Sequence, residues 1–170
     1  MFSAAAALAL LMALSARIAV PMVPVPITLQ TWAVLLAGVM LGPRWGVASV
    51  ALYLTAALIG LPVLSDGASG LEPFTGPTAG YLIAFLPAAG LAGWLSRRQR
   101  LERWIPAVGW MIGLHLLILA WGAAWLALEI GMGPALTHGV TPFLAGAAVK
   151  SVLVAAAAKG LGRWGLFRSA

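Results

Sequence analysis

The residue in this sequence best placed to do chemistry is a lysine inside an apolar run. In TPFLAGAAVKSVLVAAAAKGLGRWG, Lys150 follows Pro142 by eight positions. On a helix that spacing is about 12 Å of rise. If the solvent is lipid, an ammonium at that depth costs roughly 2.5–3.5 kcal/mol. Neither helix end is near enough for an easy reach to water. Such a group faces a bundle interior and calls for an anion, so the chemistry it suggests is capture of a carboxylate. Gly146 and Ala147 lie one turn away on the same face, where small side chains leave room for a ligand. No acid is placed on a helix to pair with the lysine: Asp66, Glu72 and Glu129 belong to one end of the chain's crossings and Glu102 to the other.

The remaining polar residues are weaker signals. Gln30 and Thr31 follow the proline series VPMVPVPIT, and Thr78 and Tyr81 sit in GPTAGYL, which opens with Gly76. His115 reads as a satisfied core histidine and His138 as a solvated loop residue, because two histidines make a poor metal set. Ser151 adjoins Lys150, but neighbours on a helix do not face each other, which argues against a Ser–Lys nucleophile. GAAVKS lacks the glycine before lysine that a phosphate loop needs, and it lies inside a span. There is no cysteine, so no disulfide framework, thiol nucleophile or iron–sulfur site is available. No carboxylate pair, metal cluster or base–nucleophile spacing supports an enzyme, and no cofactor is expected.

The elements that must position these residues are membrane elements. Of the 170 residues, 62% are hydrophobic and 8% charged, against about 25% charged in a soluble domain. A single all-α integral membrane domain over residues 1–170 follows. The net charge of +6 does not indicate nucleic acid, because the basic residues stand at the ends of apolar runs. With ~20 residues needed per span, six helices are expected near residues 4–20, 28–41, 45–61, 78–95, 105–130 and 142–162. Placing both termini in the cytoplasm puts Arg44, Arg97, Arg98, Arg100, Arg103, Lys159, Arg163 and Arg168 inside, eight of the ten basic residues, as the positive-inside rule requires. Arg17 falls outside. Trp45, Trp94, Trp104 and Trp164 read as inner interface anchors, Trp32 and Trp125 as outer ones. The N-terminal run lacks the positive region of a signal peptide and reads as a retained first helix.

Two stretches are irregular. About 14 residues give the second helix roughly 21 Å, short of a ~30 Å core. Something non-helical must complete the crossing, which lipid tolerates only where backbone is buried or lines a cavity. Pro21, Pro24 and Pro26 cannot all be helical, so residues 21–27 are expected to descend extended and set Thr28, Gln30 and Thr31 beside a cavity. A short, proline-interrupted span is the best sequence pointer to a transporter's binding site. The second stretch, GLPVLSDGASGLEPFTGPTAGYL (residues 60–82), is long and glycine-rich enough to fold over the cavity as a lid, with Thr78 capping the fourth helix.

PVPITLQTWAVLLAGVMLGPRWG, LYLTAALIGLPV, GPTAGYLIAF and TPFLAGAAVK, in this order and across nearly the whole chain, resemble the BioY family of biotin-specific substrate-binding (S) components of energy-coupling factor transporters. The resemblance implies a six-helix S component in the cytoplasmic membrane that binds biotin from outside. It implies a site built around Lys150 with Gln30, Thr31, Gly76, Thr78, Tyr81 and Gly146. It also implies a motor of one transmembrane coupling (T) component and two ATPases, docked on first-helix small residues spaced four apart, here Ala5, Ala9 and Ala13. That spacing permits close helix approach, for docking or for packing within the chain. Self-association is left open. One departure stands out: the family's last-helix motif has proline and aspartate where this chain has Ala145 and Ala147, while Phe143, Gly146 and Lys150 match. The lost contact would lower affinity by one to two decades if it were worth about 1.5–3 kcal/mol, with Gln30, Thr31, Thr78 and Tyr81 as candidate replacements. A different small carboxylate is therefore an alternative substrate. A membrane scaffold is the alternative of another class, and it leaves Lys150 unexplained.

Overall fold

The computed structural model describes residues 1–163, with side chains described through residue 160. Trp164, Arg168 and the side chain of Arg163 lie outside the described residues. The chain is mostly helical, with α1 (Phe2–Ala16), α2 (Gln30–Leu58), α3 (Glu72–Thr75), α4 (Ala79–Arg97), α5 (Trp104–Ile130), α6 (Met132–Gly139) and α7 (Phe143–Arg163). Four of these, α2, α4, α5 and α7, are long and apolar enough to cross a bilayer, and α1 is a shorter apolar helix.

Three sequence expectations need amendment. The architecture is not purely α: β1 (Ala19–Val20) and β2 (Ile27–Thr28) pair antiparallel, so residues 21–26 turn back on themselves. The proline segment is the tip of a small hairpin, not a single descending strand. The described residues form seven α-helices where six were expected: α3 and α6 arise inside connections that were read as loops, while the expected second and third helices run together as α2.

That continuity is nominal. Gly42 has φ 78° and ψ 179°, a left-handed conformation that suits glycine. Pro43 follows and removes a backbone donor. Gln30 and Tyr53 are 23 positions apart and would be roughly 34 Å apart on a straight helix. Instead the Gln30 amide Nε2 donates to the Tyr53 hydroxyl at 2.9 Å, and a Cβ added at Gly46 would lie 2.7 Å from Gly38 Cα. α2 is therefore a helical hairpin whose two arms, 30–41 and 43–58, lie against each other.

Close approach through small residues builds the rest of the core. On α4, Gly93 sits so near the backbone of Gly42 and Pro43 that no Cβ would fit, and Gly38 meets the Ala89 carbonyl in the same way. Ser96 Oγ donates to the Val39 carbonyl at 3.0 Å and so ties the same two helices. α1 packs on α2, where Ser49 Oγ donates to the Ala5 carbonyl at 2.8 Å. Ala5 and Ala9 are 2% and 8% exposed, and Ala13 is half-buried. The structure thus gives the expected docking face to the chain's own packing. Small residues suit whichever helix comes close, and here it is α2.

Two cations stand over tryptophan rings at one end. Arg98 lies 5.6 Å from the Trp94 ring centroid and Lys159 5.9 Å from that of Trp104, both within cation–π range. Trp45, Trp94 and Trp104 are exposed. Trp125 instead donates Nε1–H to the Gly76 carbonyl at 3.1 Å and pins the loop before α4.

Candidate functional site

At the opposite end, the N-terminal turns of α2, α4 and α7, the hairpin tip, the 60–78 connection and one face of α5 enclose a cavity of about 340 Å³. That lies in the range of about 300–1,000 Å³ usual for small-ligand sites. Each wall has a local cause. The hairpin contributes Pro24, Val25 and Pro26, whose rings and branched side chain are apolar and stiff. The long connection contributes Pro73, Gly76 and Pro77. Arg17, at the end of α1, donates to the Pro62 carbonyl and fastens the start of that connection to the hairpin side.

Lys150 lines the cavity, is 7% exposed, and donates Nζ–H to the Thr28 carbonyl at 3.0 Å. Its hydrogen-bond partner among the described residues is thus a carbonyl and not a carboxylate. An ammonium has three donors; one holds the hairpin and the others remain for an incoming anion. Asp66 and Glu72, read from sequence as simple outer-loop acids, also line the cavity, from the connection.

The structure brings Gln30, Thr31, Gly76, Thr78, Tyr81 and Lys150 together around this cavity; Gly146 is not among its lining residues. A Cβ at Gly146 would stand 3.9 Å from Lys150 Cε, an ordinary contact, so the lysine stem does not require glycine there. Three of the candidate replacements for the missing aspartate already have structural partners. Gln30 holds Tyr53, Thr78 Oγ1 donates to the Pro73 carbonyl at 3.0 Å instead of capping α4, and the Tyr81 hydroxyl donates to the Gly139 carbonyl at 2.8 Å. The Tyr81 ring also stacks on Phe143, with centroids 6.2 Å apart. Thr31 Oγ1 is buried without a partner.

His115, expected to be a satisfied core histidine, is 2% exposed and lines the cavity, yet only one ring nitrogen has a partner. Nδ1 is 3.0 Å from the Met111 carbonyl and 2.9 Å from Ser151 Oγ, whereas Nε2 is buried with no partner. Only the partner residues on α5 and α7 reveal this. His138, as expected, is exposed.

A family model described as the BioY family matches residues 2–166. The chain belongs to the BioY family. It is 36% identical over 161 residues to the "Biotin transporter BioY" of Rhizobium etli, an alignment covering 88% of this chain and 84% of that one. It is 37% identical to the protein of the same name in Rhodobacter capsulatus, covering 85% of each chain. Its structure is similar to a crystal structure of the S-component for biotin from an ECF-type ABC transporter, with TM-score 0.83 and 30% identity over 95% of this chain and 90% of that one. This BioY family member is therefore a multi-pass membrane protein of a transporter family and not an enzyme. On the wall beside its lysine it carries the methyl group of Ala147.

Proposed function

We propose that this chain is the biotin-binding S component of an energy-coupling factor transporter in the cytoplasmic membrane. One observation carries the reading: Lys150, buried and paired among the described residues with a backbone carbonyl, lines a cavity of ligand size. Biotin's acid tail supplies the anion, and its fused rings fill the space between Tyr81, Phe143 and the hairpin. Relatives named biotin transporters and the similar biotin S-component support this assignment. Gln30, Thr31, Gly76, Thr78 and Tyr81 contribute to the walls, and Gly146 lies one turn before Lys150 on α7, outside the lining.

The α2 hairpin supports six crossings, counting α1, the two arms of α2, α4, α5 and α7. Both termini then lie in the cytoplasm, with the cavity opening outward and the Arg97–Arg103 cluster inside. A coupling T component and two ATPases supply the energy, since no phosphate-loop motif is present in the chain. Their docking on α1 must use a face other than Ala5 and Ala9 unless that helix moves.

The chain purified from cells grown with biotin is expected to carry biotin, identified by mass spectrometry of the released ligand. A ligand-free chain with no measurable biotin affinity overturns the reading. The alkyl wall at Ala147 favours one second reading, another small carboxylate, and competition of labelled biotin by related acids separates the two. Arg17→Ala is expected to raise the biotin off-rate by up to about five-fold, the effect of one exposed hydrogen bond worth about 1 kcal/mol or less. Stopped-flow release measures it, and an unchanged off-rate removes the Pro62 contact from the closure.

A further inference from the structure

We propose that His115 is a specificity residue whose Nε2 accepts a hydrogen bond from a ureido N–H of biotin. The inference rests on the biotin reading above and deepens it.

The tautomer follows from the neighbours. A backbone carbonyl only accepts, so the 3.0 Å approach of Nδ1 to the Met111 carbonyl requires a proton on Nδ1. Ser151 Oγ donates to the Ala147 carbonyl at 2.7 Å, which leaves a hydroxyl lone pair to receive the same Nδ1–H at 2.9 Å. In the neutral ring Nε2 then keeps its lone pair. That lone pair is buried without a donor, on a residue that lines the cavity. A buried acceptor left without a donor costs about 1–3 kcal/mol, so a ligand that supplies the donor recovers that loss.

The rest of the lining narrows the choice. The Gln30 amide, the Thr78 and Tyr81 hydroxyls and one Lys150 proton already hold protein groups. Asp66 and Glu72 also offer acceptors, but both are exposed; the buried side-chain atoms of the lining without a partner are His115 Nε2 and Thr31 Oγ1. Of these only His115 is purely an acceptor. Biotin's bicyclic head presents N–H donors on its ureido ring, while its carboxylate is claimed by Lys150. Ser151 and Met111 fix the imidazole's orientation, so the contact is preorganised. His115 thus does from α5 what an acidic side chain at position 147 would do from α7, with a neutral acceptor.

Two sets of measurements on the purified full-length chain test this. Cyclic carbamate analogues of biotin, in which oxygen replaces one or the other ureido N–H, remove the donor without adding bulk. With the unaltered chain, one analogue is expected to bind about ten-fold or more weaker than biotin, the effect of a single lost hydrogen bond. His115→Asn keeps an N–H near Met111 and Ser151 but has nothing at the Nε2 position. It is expected to weaken biotin about ten-fold and to abolish the difference between biotin and that analogue. Equal binding of biotin and both analogues by the unaltered chain overturns the proposal without any variant. So does an undiminished analogue penalty in His115→Asn. Failure of the unaltered chain to bind biotin at all strikes instead at the functional reading beneath.

Discussion

Lys150→Met lowers biotin affinity by about 30- to 5,000-fold, the range expected when one member of a desolvated charge pair is removed at roughly 2–5 kcal/mol. Methionine keeps much of the lysine's length and apolar stem, so the cavity wall stays filled while the ammonium goes. The loss has two parts. The ligand's carboxylate enters the cavity with no compensating cation, and the Thr28 carbonyl loses its donor from α7. Biotin methyl ester separates them. It is expected to bind the unaltered chain far more weakly than biotin, yet to bind Lys150→Met about as well as biotin does. The sign of the pH dependence follows from the same pair: the protonated amine binds the carboxylate, so affinity falls as alkaline pH removes that proton. Lys150→Met shows no such fall. Titration calorimetry across alkaline pH reads all of these, and a flat profile in the unaltered chain removes Lys150 from the site.

Gly93→Ala is expected to destabilise the fold by about 3 kcal/mol or more, at the upper end of overpacking effects. The added methyl would collide with the backbone of Gly42 and Pro43. A backbone neighbour cannot rotate away, so α4 must lift from the α2 hairpin and open the contacts at Gly38–Ala89 and Ser96–Val39. Because α2 and α4 both send their N-terminal turns to the cavity, biotin binding should fall with the melting temperature. Gly109→Ala and Gly113→Ala on α5 are the controls: a Cβ at either meets nothing within 4 Å, and alanine is the better helix former by about 0.5–1 kcal/mol. Thermal melts in detergent showing equal stability for Gly93→Ala and the two controls would count against the close-packed crossing.

Punctuation in the sequence carried far. Pro142, the Gly42–Pro43 pair and the arginines after residue 96 mark real ends, so α4, α5 and α7 begin and stop within a few residues of the expected limits. The depth of Lys150 needed only helical rise and its distance from Pro142. What was not legible depends on partners. Small-residue spacing on α1 reveals a face, but not that α2 covers it. A proline series excludes helix, but not the choice between a strand and a hairpin tip, which the Ala19–Thr28 pairing decides. The eight-residue α6 was hidden because it is partly amphipathic and bounded by glycines, which read as loop. His115 is buried as the sequence suggests, but which of its nitrogens has a partner depends on Met111 and on Ser151, the latter 36 positions away.

The bond from Lys150 to Thr28 spans 122 positions of chain. At a ribosomal pace of about 5–20 residues per second, the hairpin waits roughly 6–24 s before its lysine is even made. The earlier helices can enter the bilayer and assemble in that interval, but the vitamin chamber has no closed wall and no cation until the final helix arrives. Nascent chains arrested before α7 are therefore empty vessels, and competence for cargo appears only at the very end of biogenesis.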